Sequence, residues 1–502
     1  MKRMIAIWMS IALGASAQAA EPEDSGTVAG EFSPVEECFV EMPADMSFDC
    51  GYLTVPEFHE QPDKRTFSLA VVRLRSTAED PKEPIFFGNG GPGGSGFTLL
   101  EVSVLSDRDG YFTKLMENHD LVFFSQRGTA YATPHLMCSA VNALSNNYLA
   151  GAYQAWSELE TAKIEALKGC YDDLSATGVD FSAFNSLENA ADLNTLRAAL
   201  GYDKIIYYGE SYGTMLGQHL MREYPETLSA VVLDGALSLA YPSWETALDL
   251  RYETALAHVI TMCARDKVCS AAYPQLENDI GKLYRQLEQR PFEIPVGEQS
   301  IFVDAQQFSV AIYNSLYDVS KARFIPHVVS SMLENNITDA VPGMMVGPIP
   351  AQGETGIALP THYAFVCAED PTSSLEEASS LETLRFEMVP DYIEADAGEY
   401  IALCEYLDLP RMSDETDLPV SIDVPVLILN GGFDPVTPAI TAAPIAEALP
   451  TAYMVDFPFG DHVQGSTDQC SHAIMLQFFS NPTTRPDTSC TTDRGNFEWF
   501  VD

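Results

Sequence analysis

Short apolar runs punctuate the first quarter of the chain. Residues 52–55, 67–72, 85–87 and 121–124 are rich in β-branched and aromatic side chains and too short for helices, so they read as strands. Between 187 and 200 the period changes. Ala190, Leu193, Leu196, Ala199 and Leu200 recur every three or four residues, which predicts a helix that Gly201 stops. The apolar run 204–208 then leads into Ser211, a helical pattern follows from about 212 to 223, and residues 230–233 form another buried strand. Strands apolar on both faces, alternating with helices, predict a mostly parallel sheet covered on both sides, an α/β architecture.

After Gly235 the alternation breaks, and no comparable strand appears until 425–429, followed by the apolar run 452–455. A helical crossover needs only a dozen or so residues, so the intervening length predicts an inserted unit. Ala247, Leu248, Ala255, Leu256, Val259 and Ile260 suit one helix; Asp304 with Gln307 starts another before Phe308, Val310 and Ile312. The expected division is a first core part at 46–240, a helical insert at 241–420 and a second core part at 421–502. Residues 20–45, rich in Glu, Pro and Gly, read as an unstructured lead-in. Lys2 and Arg3, an apolar stretch over 4–13 and the small residues of 15–20 read as a secretory signal peptide cut after Ala19. That stretch is shorter than the about 20 residues a membrane span needs, and no later one reaches that length, so an exported protein without membrane insertion is expected, periplasmic or secreted.

The formal net charge of −45 argues against nucleic acid or anionic membrane as a partner. Ten cysteines suit an oxidising compartment, and the absence of Cys-x-x-Cys and His-Glu-x-x-His speaks against a metal site. Pairing of neighbours is expected: Cys38 with Cys50, Cys138 with Cys170, Cys263 with Cys269, Cys367 with Cys404, Cys470 with Cys490.

The candidate chemistry centres on Gly209-Glu210-Ser211-Tyr212-Gly213, which follows a strand and opens a helix. That is the context of a nucleophile elbow, where glycines two before and two after the serine relieve crowding and the hydroxyl is presented at the turn. A serine nucleophile needs a base, and in the chain order Ser…Asp…His the base comes last. His462 follows the apolar run 452–455 in a loop, whereas His472 opens an amphipathic segment and reads as structural. Asp434, just after 425–429, is the preferred orienting acid; Asp461 is the rival, disfavoured because it adjoins the histidine it would orient. Gly88, Gly90 and Gly93 formally satisfy G-x-G-x-x-G. Two strands already precede that motif and Pro92 removes an amide that phosphate could use, so a dinucleotide site is rejected and no cofactor is expected. The better reading is a loop after the third strand that lends one oxyanion-hole amide from Gly90 or Gly91, with Tyr212 giving the other.

Gly90-Gly91-Pro92-Gly93-Gly94-Ser95-Gly96, Arg127-Gly128-Thr129, the Ser211 elbow, Val232-Leu233-Asp234-Gly235 and Asp434-Pro435-Val436-Thr437-Pro438 together resemble the tripeptidyl aminopeptidase and proline iminopeptidase branch of the α/β-hydrolases. The resemblance implies an α/β-hydrolase fold, a triad at Ser211, Asp434 and His462, and a helical cap formed by the insert. It implies an exo-aminopeptidase acting on short peptides, with cap carboxylates holding the free amine; Glu369 and Asp370 are the candidates. Gly-Glu-Ser-Tyr also looks like serine carboxypeptidases, in which the glutamate, here Glu210, recognises a terminal carboxylate; bracing of the elbow is its plainer role. A carboxylesterase taking small esters shares every catalytic part, and a noncatalytic binding module is a further alternative. Two positions depart from the family pattern: Ser125 stands where an aspartate is usual two residues before Arg-Gly, and Val463 follows the histidine where glycine is common.

Overall fold

The computed structural model describes residues 29–105, 110–241, 243–296, 299–345, 356–465, 468–492 and 497–501; the expected signal peptide lies outside them. In chain order the strands are β1 (Phe32–Pro34), β2 (Phe48–Pro56), β3 (Thr66–Leu74), β4 (Lys82–Gly88), β5 (His119–Phe124), β6 (Ile205–Glu210), β7 (Leu228–Asp234), β8 (Phe292–Val296), β9 (Gln299–Val303), β10 (Val426–Gly431) and β11 (Ala452–Phe457). Nine of them form one sheet in the order β1-β2-β3-β5-β4-β6-β7-β10-β11. The pairings from β5 through β4, β6, β7 and β10 to β11 are parallel, whereas β1, β2 and β3 add an antiparallel edge. This is the α/β-hydrolase fold, with the alternation read from the sequence realised on both faces. In β3, Phe67, Leu69 and Val71 enter one apolar cluster while Ala70, Val72 and Leu74 enter another across the sheet.

Sequence and structure differ at the edges of elements. The segment read as an unstructured lead-in contributes β1, whose Phe32 lies opposite Leu53, and Cys38 is bonded to Cys50. Three residues give too little periodicity to mark a strand, and here pairing to β2 and a disulfide order the chain. The glycine-rich loop therefore follows the fourth strand of the chain. The helix expected at 187–200 runs Ser186–Ala199, capped by the Asn185 side chain on the Glu188 amide, and Gly201 takes a left-handed φ of 81° after it.

Residues 236–424 join β7 to β10 through a largely helical segment, including Leu248–Arg265, Leu276–Gln289, Ala305–Leu316, Leu359–Ala368 and Val389–Leu407. Asp304 caps its helix on the Gln307 amide at 2.8 Å, as the sequence indicates. The antiparallel β8–β9 hairpin is an addition that the helical reading lacks. All five neighbour disulfides form, and one of them, Cys367–Cys404, ties the helices Leu359–Ala368 and Val389–Leu407 together.

Arg127 anchors the loop after β5. It is fully buried, and its guanidinium grips Asp192 twice, at 2.8 and 2.7 Å, while also donating to the carbonyls of Glu57 and Ala183. Next to it, Gln126 donates to the Asn89 carbonyl at 3.0 Å, so this buried ion pair reaches the glycine-rich loop. Removing Asp192 leaves the buried guanidinium with only Glu188 at 3.6 Å as a counter-charge, which costs on the order of 3–5 kcal/mol. Asp192→Ala is therefore expected to lower the unfolding free energy by about that much in denaturant titration.

Candidate active site

Ser211 is the hinge between β6 and the helix Tyr212–Glu223. Its φ of 53° and ψ of −121° lie in a region few non-glycine residues adopt, and its amide is held by the Asp234 carbonyl at 2.9 Å. The flanking glycines are obligatory on packing grounds. A Cβ on Gly209 would stand 2.2 Å from the Gly213 carbonyl oxygen, and one on Gly213 would stand 2.2 Å from that of Gly88. The turn is thus compressed until only hydrogens fit, which tips the serine side chain out at the helix N-terminus.

Asp434, fully buried in the loop after β10, accepts the amides of Val436 at 2.8 Å and Thr437 at 2.9 Å on Oδ1. On Oδ2 it accepts the Thr437 hydroxyl at 2.7 Å and His462 Nδ1–H at 2.8 Å. Four donors hold the carboxylate ionised: burial works to raise its pKa, but the imidazole's charge and hydrogen bond and the Thr437 donors leave it below its ordinary value. Burial likewise pulls the imidazole down, yet Asp434, with Asp234 and Asp461 behind it, leaves His462 above 6.5. With Nδ1–H committed to Asp434, Nε2 is the free basic nitrogen.

Asp234, at the end of β7 in the Val232-Leu233-Asp234-Gly235 motif, turns out to brace the loop that carries His462. It is buried and accepts the amides of Gln464 at 2.8 Å and Gly465 at 2.6 Å and the Tyr208 hydroxyl at 2.8 Å. It therefore clamps the two residues just past Val463, and burial pushes its own pKa up to about 6. Val463 itself takes a φ of 70°, where a glycine would be unstrained; the family departure noted above falls on a left-handed position. The rival acid Asp461 points elsewhere, accepting the Val319 amide of the helical segment at 2.8 Å. His472 is structural, bonded to the Gly465 carbonyl at 2.9 Å and stacked on Tyr111.

Ser211, His462, Val463, Gly90, Gly91 and Glu210 share the wall of one cavity of about 490 Å³. The bond between Asp434 and His462 is formed directly; Ser211 and His462 line the same cavity, and among the described residues no hydrogen bond joins them. The Gly90 amide donates to the Glu210 carboxyl, which leaves Gly91 as the freer donor of the two candidates. Burial and the nearby Asp234 push Glu210 up to about 7.

The acids chosen from sequence as amine ligands lie elsewhere. Asp370 is half-buried and pairs with Arg411 at 3.0 Å. Glu369 is buried behind the elbow helix, where it accepts the Ser186 hydroxyl at 2.6 Å, and Ser186 in turn contacts the Tyr212 hydroxyl at 2.8 Å. Burial raises its pKa to about 8, so it is mostly uncharged at neutral pH. On the side of the helical segment, the carboxylate that faces the cavity is Asp396, on the helix Val389–Leu407, across from Glu210 at the elbow. Burial, with Glu245 and Glu399 nearby, raises it to about 7, and among the described residues it has no side-chain hydrogen-bond partner. Asp396 also borders an adjoining cavity of about 210 Å³ lined by Glu160, Lys163 and Glu399. Nothing local in the sequence marks Asp396 among 72 acidic residues; only the helix register turns it inward.

A family model described as alpha/beta hydrolase fold matches residues 83–261, and one described as TAP-like protein matches residues 391–490. With the sheet order and the elbow, these matches fit an α/β-hydrolase whose C-terminal part is similar to TAP-like proteins. Among curated relatives it is similar to serine protease Hip1 of Mycobacterium tuberculosis, 32% identical over 257 residues, 47% of this chain and 46% of that one. It is similar also to tripeptidyl aminopeptidase of Streptomyces lividans, 27% identical over 209 residues, 40% and 38% of the two chains. The chain thus spans less than half the length of these two relatives. The Escherichia coli protein YuaR is 22% identical over 480 residues, 91% of either chain.

If His462 Nε2 is the base, activity requires the neutral imidazole, which is populated above its pKa. Because that pKa is raised, the acid limb of kcat/KM should have its midpoint above 6.5. Asp234→Asn removes a charge that raises it and loosens the 464–465 clamp, so the limb should move to lower pH with a fall in kcat, measured over pH 5 to 9.

Proposed function

We propose that the protein is an exported serine hydrolase, an exo-aminopeptidase on short peptides, in which residues 241–420 cap the cleft. The single observation that carries this reading is the Asp434–His462 bond at 2.8 Å on the cavity that also contains Ser211 at its strained turn. In the proposed reaction Ser211 Oγ attacks the peptide carbonyl carbon as its proton passes to His462 Nε2. The oxyanion is stabilised by the amides of Tyr212 and Gly91. Collapse of the tetrahedral species breaks the C–N bond, the leaving amine takes the proton from His462, and water repeats the sequence to free the acyl group. No metal or cofactor enters these steps.

The N-terminal end of the substrate is assigned to Asp396. An unpartnered carboxylate on the cap side of the cleft is what an ammonium group requires. This replaces Glu369 and Asp370 in that role. The carboxypeptidase-like alternative would set the substrate's carboxylate at Glu210, with Arg251 on the same cavity wall, and is separated by which end of the peptide must be free. The carboxylesterase alternative keeps the same catalytic parts and is separated by substrate. Five disulfides suit an oxidising compartment, and among the described residues no helix is long and apolar enough to cross a membrane.

Ser211→Ala should lower kcat by on the order of 10⁴ or more and abolish labelling by a fluorophosphonate probe while leaving the thermal melt unchanged. Near-normal turnover by that variant would exclude Ser211 as nucleophile. Asp396→Asn should reduce kcat/KM for free-amine peptides about 10- to 100-fold, the value of a charge-assisted contact, and leave N-acetylated peptides and esters unaffected. Because the Asp396 pKa is raised to about 7, the carboxylate is lost as pH falls through that value, so KM for free-amine peptides should climb below pH 7.

A further inference from the structure

The glycine-rich loop is fastened to the helical segment at several points. The Ala358 amide donates to the Gly93 carbonyl at 2.9 Å, and the Thr361 hydroxyl donates to the Gly128 carbonyl at 2.9 Å. A Cβ on Gly93, whose φ is 90°, would stand 2.9 Å from the Ala358 carbonyl oxygen, so the two backbones are in contact. Between them His362 makes the connection that reaches furthest. Its Nδ1 lies 3.0 Å from the Pro92 carbonyl, the residue after Gly91, and its Nε2 lies 2.8 Å from the Tyr400 hydroxyl.

Chemistry fixes the protons in this chain. A carbonyl can only accept, so Nδ1 carries the hydrogen. Burial lowers the ring's pKa to about 4, so the ring is neutral at working pH and Nε2 accepts the Tyr400 hydroxyl. Tyr400 is four residues beyond Asp396, on the same face of Val389–Leu407, and both line the cavity with His362. The Cys367–Cys404 disulfide ties together the helices that carry His362 and Tyr400.

We propose that His362 is a positioning residue: through its bonds to Pro92 and Tyr400 it couples the helix that carries the amine-binding Asp396 to the loop that supplies the Gly91 oxyanion amide. The inference rests on the reading of Asp396 and Gly91 given above. Its consequence is that engagement of the substrate's amine acts on the chemical step as well as on binding. An amine drawn to Asp396 sets the helix, the helix sets Tyr400 and His362, and His362 sets the carbonyl beside the donor. The amide is worth most when it meets the oxyanion and little in the ground state, so disturbance of its position should appear in kcat.

The test compares His362→Met, His362→Asn and Tyr400→Phe with the parent enzyme. Substrates are a free tripeptide anilide, its N-acetyl form and a small activated ester without an amine, and the rate of Ser211 phosphonylation by a fluorophosphonate is measured in parallel. Asn places an amide N–H where Nδ1–H stood, whereas Met offers no donor. His362→Met is expected to lower kcat on the free anilide, the ester rate and the phosphonylation rate about 10- to 100-fold, with KM within about twofold. His362→Asn should recover most of that loss, and Tyr400→Phe should show a smaller loss of the same kind. A rise in KM at unchanged kcat, or an Asn variant as slow as Met with a parental thermal melt, overturns the proposal. If Met prevents folding, Asn against Tyr400→Phe decides it. A parent enzyme that takes the ester but no peptide sinks the aminopeptidase reading alone, since the ester and phosphonylation rates still report on His362.

Discussion

The bond from His462 Nδ1 to Asp434 is the contact on which the rest of this molecule turns. An ionised carboxylate with no solvent exposure is tolerable only if its lone pairs are filled, and here two amides, one hydroxyl and one imidazole fill them. Those donors come from two loops, after β10 and after β11, that lie on the carboxyl ends of neighbouring parallel strands. Parallel pairing is what makes the meeting possible. It puts consecutive strand ends on one edge, so segments far apart in sequence deliver side chains to the same crevice.

Asp234 repeats the device one strand over. The carboxylate at the end of β7 is paired by amides of the loop that carries His462, so the histidine is gripped from the ring by Asp434 and from the following backbone by Asp234. Val463 sits between the two grips with its left-handed φ, a strained conformation that the surrounding hydrogen bonds impose. The two carboxylates differ in consequence. Asp434 has the imidazole's charge directly beside it and stays below its ordinary pKa; Asp234 has amides, a phenol and only a weaker pull from the same ring, and burial carries it up to about 6. Charge, more than the number of hydrogen bonds, sets the sign.

Much of this was legible in the sequence because it is written in local patterns. Apolar runs bounded by glycines gave the sheet, and Gly209 and Gly213 are visible because a Cβ at either would collide with backbone. Asp434 and His462 could be chosen from loop position alone, since strand ends on one edge admit few candidates. Neighbour pairing of the cysteines also held, each bond closing within a hairpin, a helix pair or a local turn. What stayed hidden depends on contacts between elements. Glu369 and Asp370 looked well placed beside Cys367, yet the helix C-terminus sends one behind the elbow and the other to Arg411. Asp396 and His362 carry no motif; their orientation follows from how two disulfide-linked helices lie over the glycine-rich loop. The brief β1 was missed because three residues carry no periodicity.

Insertion between β7 and β10 has a mechanical logic of its own. A segment that leaves and re-enters the sheet at its carboxyl edge must rest on the loops already there, and it does so at both sides of the crevice. On one side Val319 and Tyr317 engage Asp461 and the His462 amide. On the other, Ala358, Thr361 and His362 engage the loops that follow β4 and β5. The helical segment is therefore a lid only in outline. Each of its two footings bears on a different part of the proposed machinery, the base on one side and the oxyanion donor on the other.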